Sequence, residues 1–183
     1  MGMNNSKQHY GWLAISLHWL TAISVIGLFA LGFWMVDLGY YDQWYKPAPA
    51  LHKSIGICLF VLMLARIAWR LKQVQPEPLS THTALEVKAG HLMHLTLYIM
   101  LIVIMLSGYL ISTADGRAIE VFELFSVPAL GSLIENQEDL AGGFHKYAAY
   151  TLIALVGMHA AAALKHHIID KDNTLKRMLG RSQ

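Results

Sequence analysis

Four stretches of this chain are apolar for about twenty residues or more, and every one of them carries histidine. A run of that length matches the hydrocarbon thickness of a bilayer. The runs cover residues 12–36, 52–71, 91–113 and 144–168, and a single membrane-embedded domain over 1–183 is expected. Charged residues make up 14% of the chain, against about a quarter in a soluble domain. A soluble helical bundle would need polar outer faces, and runs one, three and four have almost none. The first run is too long and too aromatic for a signal peptide. The expected fold is therefore an all-α membrane protein, a bundle of four transmembrane helices.

Lysine and arginine in the loops set the orientation. One side holds ten: Lys7, Arg66, Arg70, Lys72, Lys88, Lys165, Lys171, Lys176, Arg177 and Arg181. The other holds four, Lys46, Lys53, Arg117 and Lys146, together with most of the acids. Both termini are thus expected in the cytoplasm. Tyr40, Tyr41, Trp44 and Tyr45 suit an aromatic belt at the far interface. Residues 114–143, with Pro128 and the glycines at 142 and 143, are expected to form the one sizeable extramembrane loop. A net charge of +2 without a basic, aromatic-rich patch gives no reason to expect nucleic acid. The single cysteine, Cys58, excludes CxxCH haem attachment and cysteine-based zinc or iron–sulfur sites.

Ionisable groups inside a membrane are costly and tend to be functional, so the ten histidines are best sorted by depth. His18 lies about 9 Å inside the first run, and His159 lies about 21 Å beyond His145 along the fourth. His52 and His145 both open their runs at the far face. Fourteen residues is nearly four helical turns, so His145 and His159 share a face. The four fall into two pairs at matching depth, His18 with His159 and His52 with His145. Two such imidazole pairs suit two b-type haems, each with both axial positions filled. Gly56, Gly157 and the alanines at 160–163 would admit a flat macrocycle, or equally serve helix packing. A zinc or manganese site would want a carboxylate at the same level, and the predicted spans contain none. The same shortage argues against a proton or cation transporter. His9 and His82 are expected in solvent, and His91 and His167 at the interface.

The stretches ISLHWLTA (15–22), LHKSIG (51–56), GHLMHLTLY (90–98), FHKYAAY (144–150) and MHAAAALKHHIIDKDNTLKRM (158–178) resemble the bacterial cytochrome b561 family over nearly the whole chain. The resemblance implies haem ligation by the same four positions, His18 and His159 for the more cytoplasmic haem and His52 and His145 for the periplasmic one. It also implies a quinone, ubiquinone in particular, bordered by His94 and His166. The implied role is electron transfer across the bacterial inner membrane between a quinone pool and a periplasmic redox partner. Two alternatives accompany it: oxidation of superoxide at the outer haem with electrons passed to ubiquinone, and anchorage of a periplasmic enzyme or isoprenoid-binding protein. GYLISTADGRAI and LGYYDQWYKPAP point to a branch other than the superoxide-oxidising one. Lys165 is expected to snorkel or meet a haem propionate, and Lys53, Lys146 and Arg117 to attract an anion near the outer haem.

Overall fold

A computed structural model describes residues 2–181. Among the described residues, four helices are long and apolar enough to span a membrane: α1 (Trp12–Met35), α2 (Pro47–Lys72), α3 (Ala84–Thr113) and α4 (Gln137–Ile168). A short antiparallel hairpin, β1 (Ile119–Val121) with β2 (Phe125–Val127), lies between α3 and α4, and a five-residue helix α5 (Thr174–Met178) follows α4. The protein is thus a predominantly helical, four-span membrane protein, as its apolar runs imply. Large apolar side chains such as Ile23, Val61, Ile99 and Leu164 stay about half or more exposed. In a span that surface faces lipid, so it carries no hydrophobic penalty.

Three of the four helices, α2, α3 and α4, begin earlier than their apolar runs. α2 starts five residues before His52, at Pro47, where a proline with its preset φ and missing N–H is well tolerated. α3 starts at Ala84 rather than 91 because Thr83 and Glu86 form a capping box. The Thr83 backbone N–H and hydroxyl donate to one Glu86 oxygen at 3.0 and 2.9 Å, and the Glu86 N–H donates back to Thr83 Oγ1 at 3.3 Å. α4 starts at Gln137, seven residues before the apolar run, so Gly142 and Gly143 are helical and the expected 114–143 loop ends at 136. The Gln137 side chain anchors this end to the loop before it and to α3: its Oε1 accepts from the Leu133 N–H at 2.7 Å, and its Nε2 donates to the Leu110 carbonyl at 2.9 Å. Hydropathy locates the lipid-facing part of a helix, whereas caps locate its ends.

Two compact units divide the chain, and each draws segments from all four long helices. One comprises residues 2–22, 62–98 and 154–181. It is tied by Asn5 to Gln73 and Val74, and by the Trp19 indole N–H, which donates to the Met178 carbonyl at 2.7 Å. Met63 is fully buried within it. The other comprises residues 23–61 and 99–153 and carries the hairpin. There Ala48, Leu59, Leu101, Ile119, Val121 and Leu152 form the core. Phe122 and Glu123 sit at φ 50° and 59°, as a tight hairpin turn with positive φ at both central positions requires.

Ser54 pins the hairpin to α2. Its hydroxyl donates to the Glu120 carbonyl at 3.3 Å and accepts from the Phe122 N–H at 3.1 Å. Ser54 is 3% exposed, so removing the hydroxyl strands buried backbone groups at a cost of about 1–3 kcal/mol. Ser54→Ala is expected to speed amide exchange in residues 119–127 by roughly tenfold or more, measured by hydrogen–deuterium exchange mass spectrometry.

Candidate functional site

Each unit contains a pair of imidazoles. In one, His52 at the start of α2 and His145 near the start of α4 have ring centroids 6.3 Å apart. In the other, His18 of α1 and His159 of α4 are also 6.3 Å apart. All four rings are partly buried. A first-row metal held between two trans imidazoles, with metal–nitrogen bonds of about 2.0 Å, needs centroids roughly 6 Å apart. Both pairs meet that requirement. His94 lies closer to His159, at 5.2 Å and 65°, which is short for a metal between them. Of the three histidines in that unit's group, geometry favours His18 with His159 as the ligating pair.

Around His52 and His145 the surroundings fit a ligand role. The His145 Nδ1 lies 3.1 Å from the Ile104 carbonyl and 3.0 Å from Ser107 Oγ. A proton on Nδ1 donated to that carbonyl leaves Nε2 bare for a metal, the usual way an outer partner selects the tautomer. The Ser107 hydroxyl itself donates to the Ile104 carbonyl at 2.8 Å. His52 Nδ1 is buried without a hydrogen-bond partner. Two glycines make room for these rings. A Cβ on Gly32 of α1 would come within 3.1 Å of His52 Cε1, and one on Gly108 of α3 within 3.2 Å of His145 Cε1. Gly56 and Gly157 by contrast face open space, so no neighbouring helix packs against them there.

The His18 side differs. An Arg66 guanidinium N–H reaches His18 Nδ1 at 2.8 Å, and the guanidinium also lies over the Tyr98 ring at 5.4 Å. Guanidinium only donates, so here Nδ1 accepts and Nε2 carries the proton. Metal on Nε2 would leave the proton on Nδ1 and turn Arg66 to another acceptor, such as a carboxylate of the bound group. A cleft of about 80 Å³ opens beside this pair, lined by His18, Arg66, Trp69, His94, Tyr98 and their neighbours.

Other sequence expectations fare unevenly. Exposed His9 and His91 match a solvated or interfacial place. His82 does not: its side chain is 16% exposed, and its Nε2 lies 3.0 Å from Asp172 Oδ2 and 3.1 Å from Thr174 Oγ1. His166 joins this group, with its Nδ1 2.8 Å from Asp170 and 3.3 Å from Asp172. His167 is half-buried. Burial raises the Asp172 carboxyl, but donation from the Thr174 N–H and hydroxyl and from His82 outweighs it and holds the group below the usual carboxylate range. Lys165 is bound by Glu86 at 2.8 Å and Asp170 at 2.7 Å, so its ammonium has protein partners. Arg117 is paired with Asp115, donating through Nε at 2.6 Å. Hydrogen bonds from the Arg117 side chain and backbone hold Asp115 below its usual range. Of the three outer cations, Lys53 and Lys146 are left to attract an anion.

Paired, partly buried imidazoles among apolar helices long enough to span a membrane fit a membrane cytochrome of the b type, in which haem is held without covalent attachment. The family profile of prokaryotic cytochrome b561 matches residues 9–181, and the chain belongs to that family. It is 50% identical to cytochrome b561 homolog 2 of Escherichia coli strain K12, over 100% of this chain and 97% of that protein. It is 30% identical to a probable superoxide oxidase, CybB, of Yersinia pestis, over 93% and 95% of the two chains. It is also 31% identical to cytochrome b561 homolog 1 of Escherichia coli strain K12, over 91% and 94%. Family membership makes this a multi-pass bacterial membrane protein of electron transport that uses b-type haem.

Because the added methyl meets a ligand-candidate ring directly, Gly108→Ala and Gly32→Ala are expected to perturb haem bound by His52 and His145. Electron paramagnetic resonance of the oxidised protein should show a shifted or lost low-spin signal. Wild-type spectra from both variants would remove that pair from the haem site.

Proposed function

We propose that this chain is a dihaem b-type cytochrome of the inner membrane, with both termini in the cytoplasm, passing electrons between a quinone and a periplasmic redox partner. The observation that carries the reading is the matched separation of two imidazole pairs, one in each compact unit, at the spacing of trans axial ligands. His18 and His159 would hold the haem nearer the cytoplasm, and His52 and His145 the one nearer the periplasm. Bound haem would supply one-electron chemistry, and the paired imidazoles that would hold it would keep small ligands off the iron. The chain supplies ligation, burial and electrostatics. His159→Ala is expected to lower haem from two per chain to one, read by pyridine haemochrome assay. Retention of both would refute its pairing with His18.

Arg66 sets a fixed positive charge beside His18 in a low-dielectric setting, which favours the state with the extra electron. Arg66→Gln should therefore lower the midpoint potential of the His18–His159 haem and leave the other in place, measured by spectroelectrochemical titration.

Ubiquinone is the proposed partner on the cytoplasmic side. His94 carries this part: its ring stands edge-on to His159, and it lines the cleft with Arg66 and Tyr98. Quinone reduction consumes two protons, and imidazole is suited to deliver them near neutral pH. The other neighbour implied by resemblance, His166, has its Nδ1 beside Asp170 and Asp172, so the proposal rests on His94. His94→Ala should keep both haems yet slow oxidation of the reduced protein by ubiquinone at least tenfold in stopped-flow absorbance.

A second reading, oxidation of superoxide with electrons passed to ubiquinone, draws support from the 30% identity to the probable superoxide oxidase of Yersinia pestis. Rapid mixing of the oxidised protein with superoxide distinguishes the two. Haem reduction faster than spontaneous dismutation makes the chain an enzyme, and none makes it a relay.

A further inference from the structure

Where the C-terminal end of α4 meets the segment preceding α3, three side chains converge that neither haem ligation nor the quinone reading uses. His82 Nε2 stands 3.0 Å from Asp172 Oδ2, and His166 Nδ1 stands 3.3 Å from the same oxygen. The two imidazole centroids are 4.5 Å apart, and one ligand atom from each of the three residues lies within 4.8 Å of the others. All three belong to the same compact unit.

The His166 Nδ1 is buried but lies in no hydrogen-bonding geometry, although two carboxylates are near it. A donor that sits beside carboxylate oxygen yet is not aimed at it is badly used as an ion pair. It is well placed if both atoms point at a shared third atom. In tetrahedral coordination with bonds of about 2.0 Å, neighbouring ligand atoms lie roughly 3.3 Å apart. The His166–Asp172 separation of 3.3 Å equals that edge, and the His82–Asp172 separation of 3.0 Å lies close to it.

We infer that His82, His166 and Asp172 form a binding site for a divalent first-row transition-metal ion, zinc being the fitting representative, at the cytoplasmic end of the proposed topology. Two imidazoles and a carboxylate are a borderline nitrogen–oxygen donor set of the kind that zinc accepts, with a fourth position for water. Asp170 Oδ2 is near enough to approach that position, but Lys165 Nζ already sits 2.7 Å from it, so the three-residue set is the core. Thr174 serves as the outer partner: its N–H donates to Asp172 Oδ1 at 2.8 Å and leaves Oδ2 for the ion. Binding would join the segment before α3, the end of α4 and the segment after it through one atom, releasing any proton held on the two imidazoles. The inference stands apart from the quinone reading, which rests on His94.

The test uses the haem-loaded full chain in detergent, with its purification tag removed and adventitious metal stripped by chelator. After equilibrium dialysis against micromolar zinc, elemental analysis should find one zinc per chain. Asp172→Asn and His82→Gln should each weaken its retention at least tenfold while leaving the haem absorbance as in the wild type. Zinc-edge X-ray absorption of the unmutated protein should show only nitrogen and oxygen neighbours with imidazole scattering, and this arm holds even if a variant fails to fold. Any one of three results overturns the site: no stoichiometric zinc, unchanged retention in both folded variants, or sulfur in the first shell.

Discussion

An imidazole in hydrocarbon must find a partner for its ring nitrogens, and that requirement organises this protein more than any apolar contact does. Water cannot supply the partner, and lipid tails offer none. His145 is served by the Ile104 carbonyl and Ser107, and His18 by Arg66. His52 Nδ1 is left buried without a partner, and a nitrogen with a free electron pair is what a haem iron would take. Helix packing is then arranged around the rings. Gly32 and Gly108 stand where any larger residue would touch them, and the rest of each helix surface is free to be generic and lipid-soluble.

The legible part of the fold was the part written in long-range composition. Twenty-residue apolar runs gave four spans, and histidine positions within them gave two pairs, because helical rise converts sequence distance into depth with little error. What escaped was governed by short-range polar chemistry. Helix starts at Pro47 and Ala84 are set by a proline and a capping box, and the start at Gln137 is anchored to the preceding loop and to α3, none of which changes a hydropathy average. The β1–β2 hairpin lacks the Asn-Gly or Asp-Gly turn that usually announces one. It turns instead through Phe122 and Glu123, held by Ser54 from a distant helix.

The site shows the same division. Depth alone pairs His18 with His159 and His52 with His145, and the structure brings the rings of each pair to 6.3 Å. Arg66 escaped because it was counted among interfacial charges. His82 was set aside as solvated because its sequence neighbours are polar, yet it is covered by residues some ninety positions away. Local polarity foretells solvent only when the chain does not fold back over the residue, and here the segment after α4 does.

Glu86 divides its two oxygens between a neighbour and a distant partner. One closes the cap with Thr83, three residues back, and the other receives Lys165 from the far end of α4. During synthesis the first bond can form as soon as α3 leaves the ribosome, whereas the second must wait for nearly eighty further residues to be made and threaded. The carboxylate thus meets the membrane surface already hydrogen-bonded through one oxygen, as part of a finished helix start, and keeps the other free for its cationic partner. Arrival of Lys165 marks the moment when the last span is in register, so a single side chain records both the beginning and the completion of assembly.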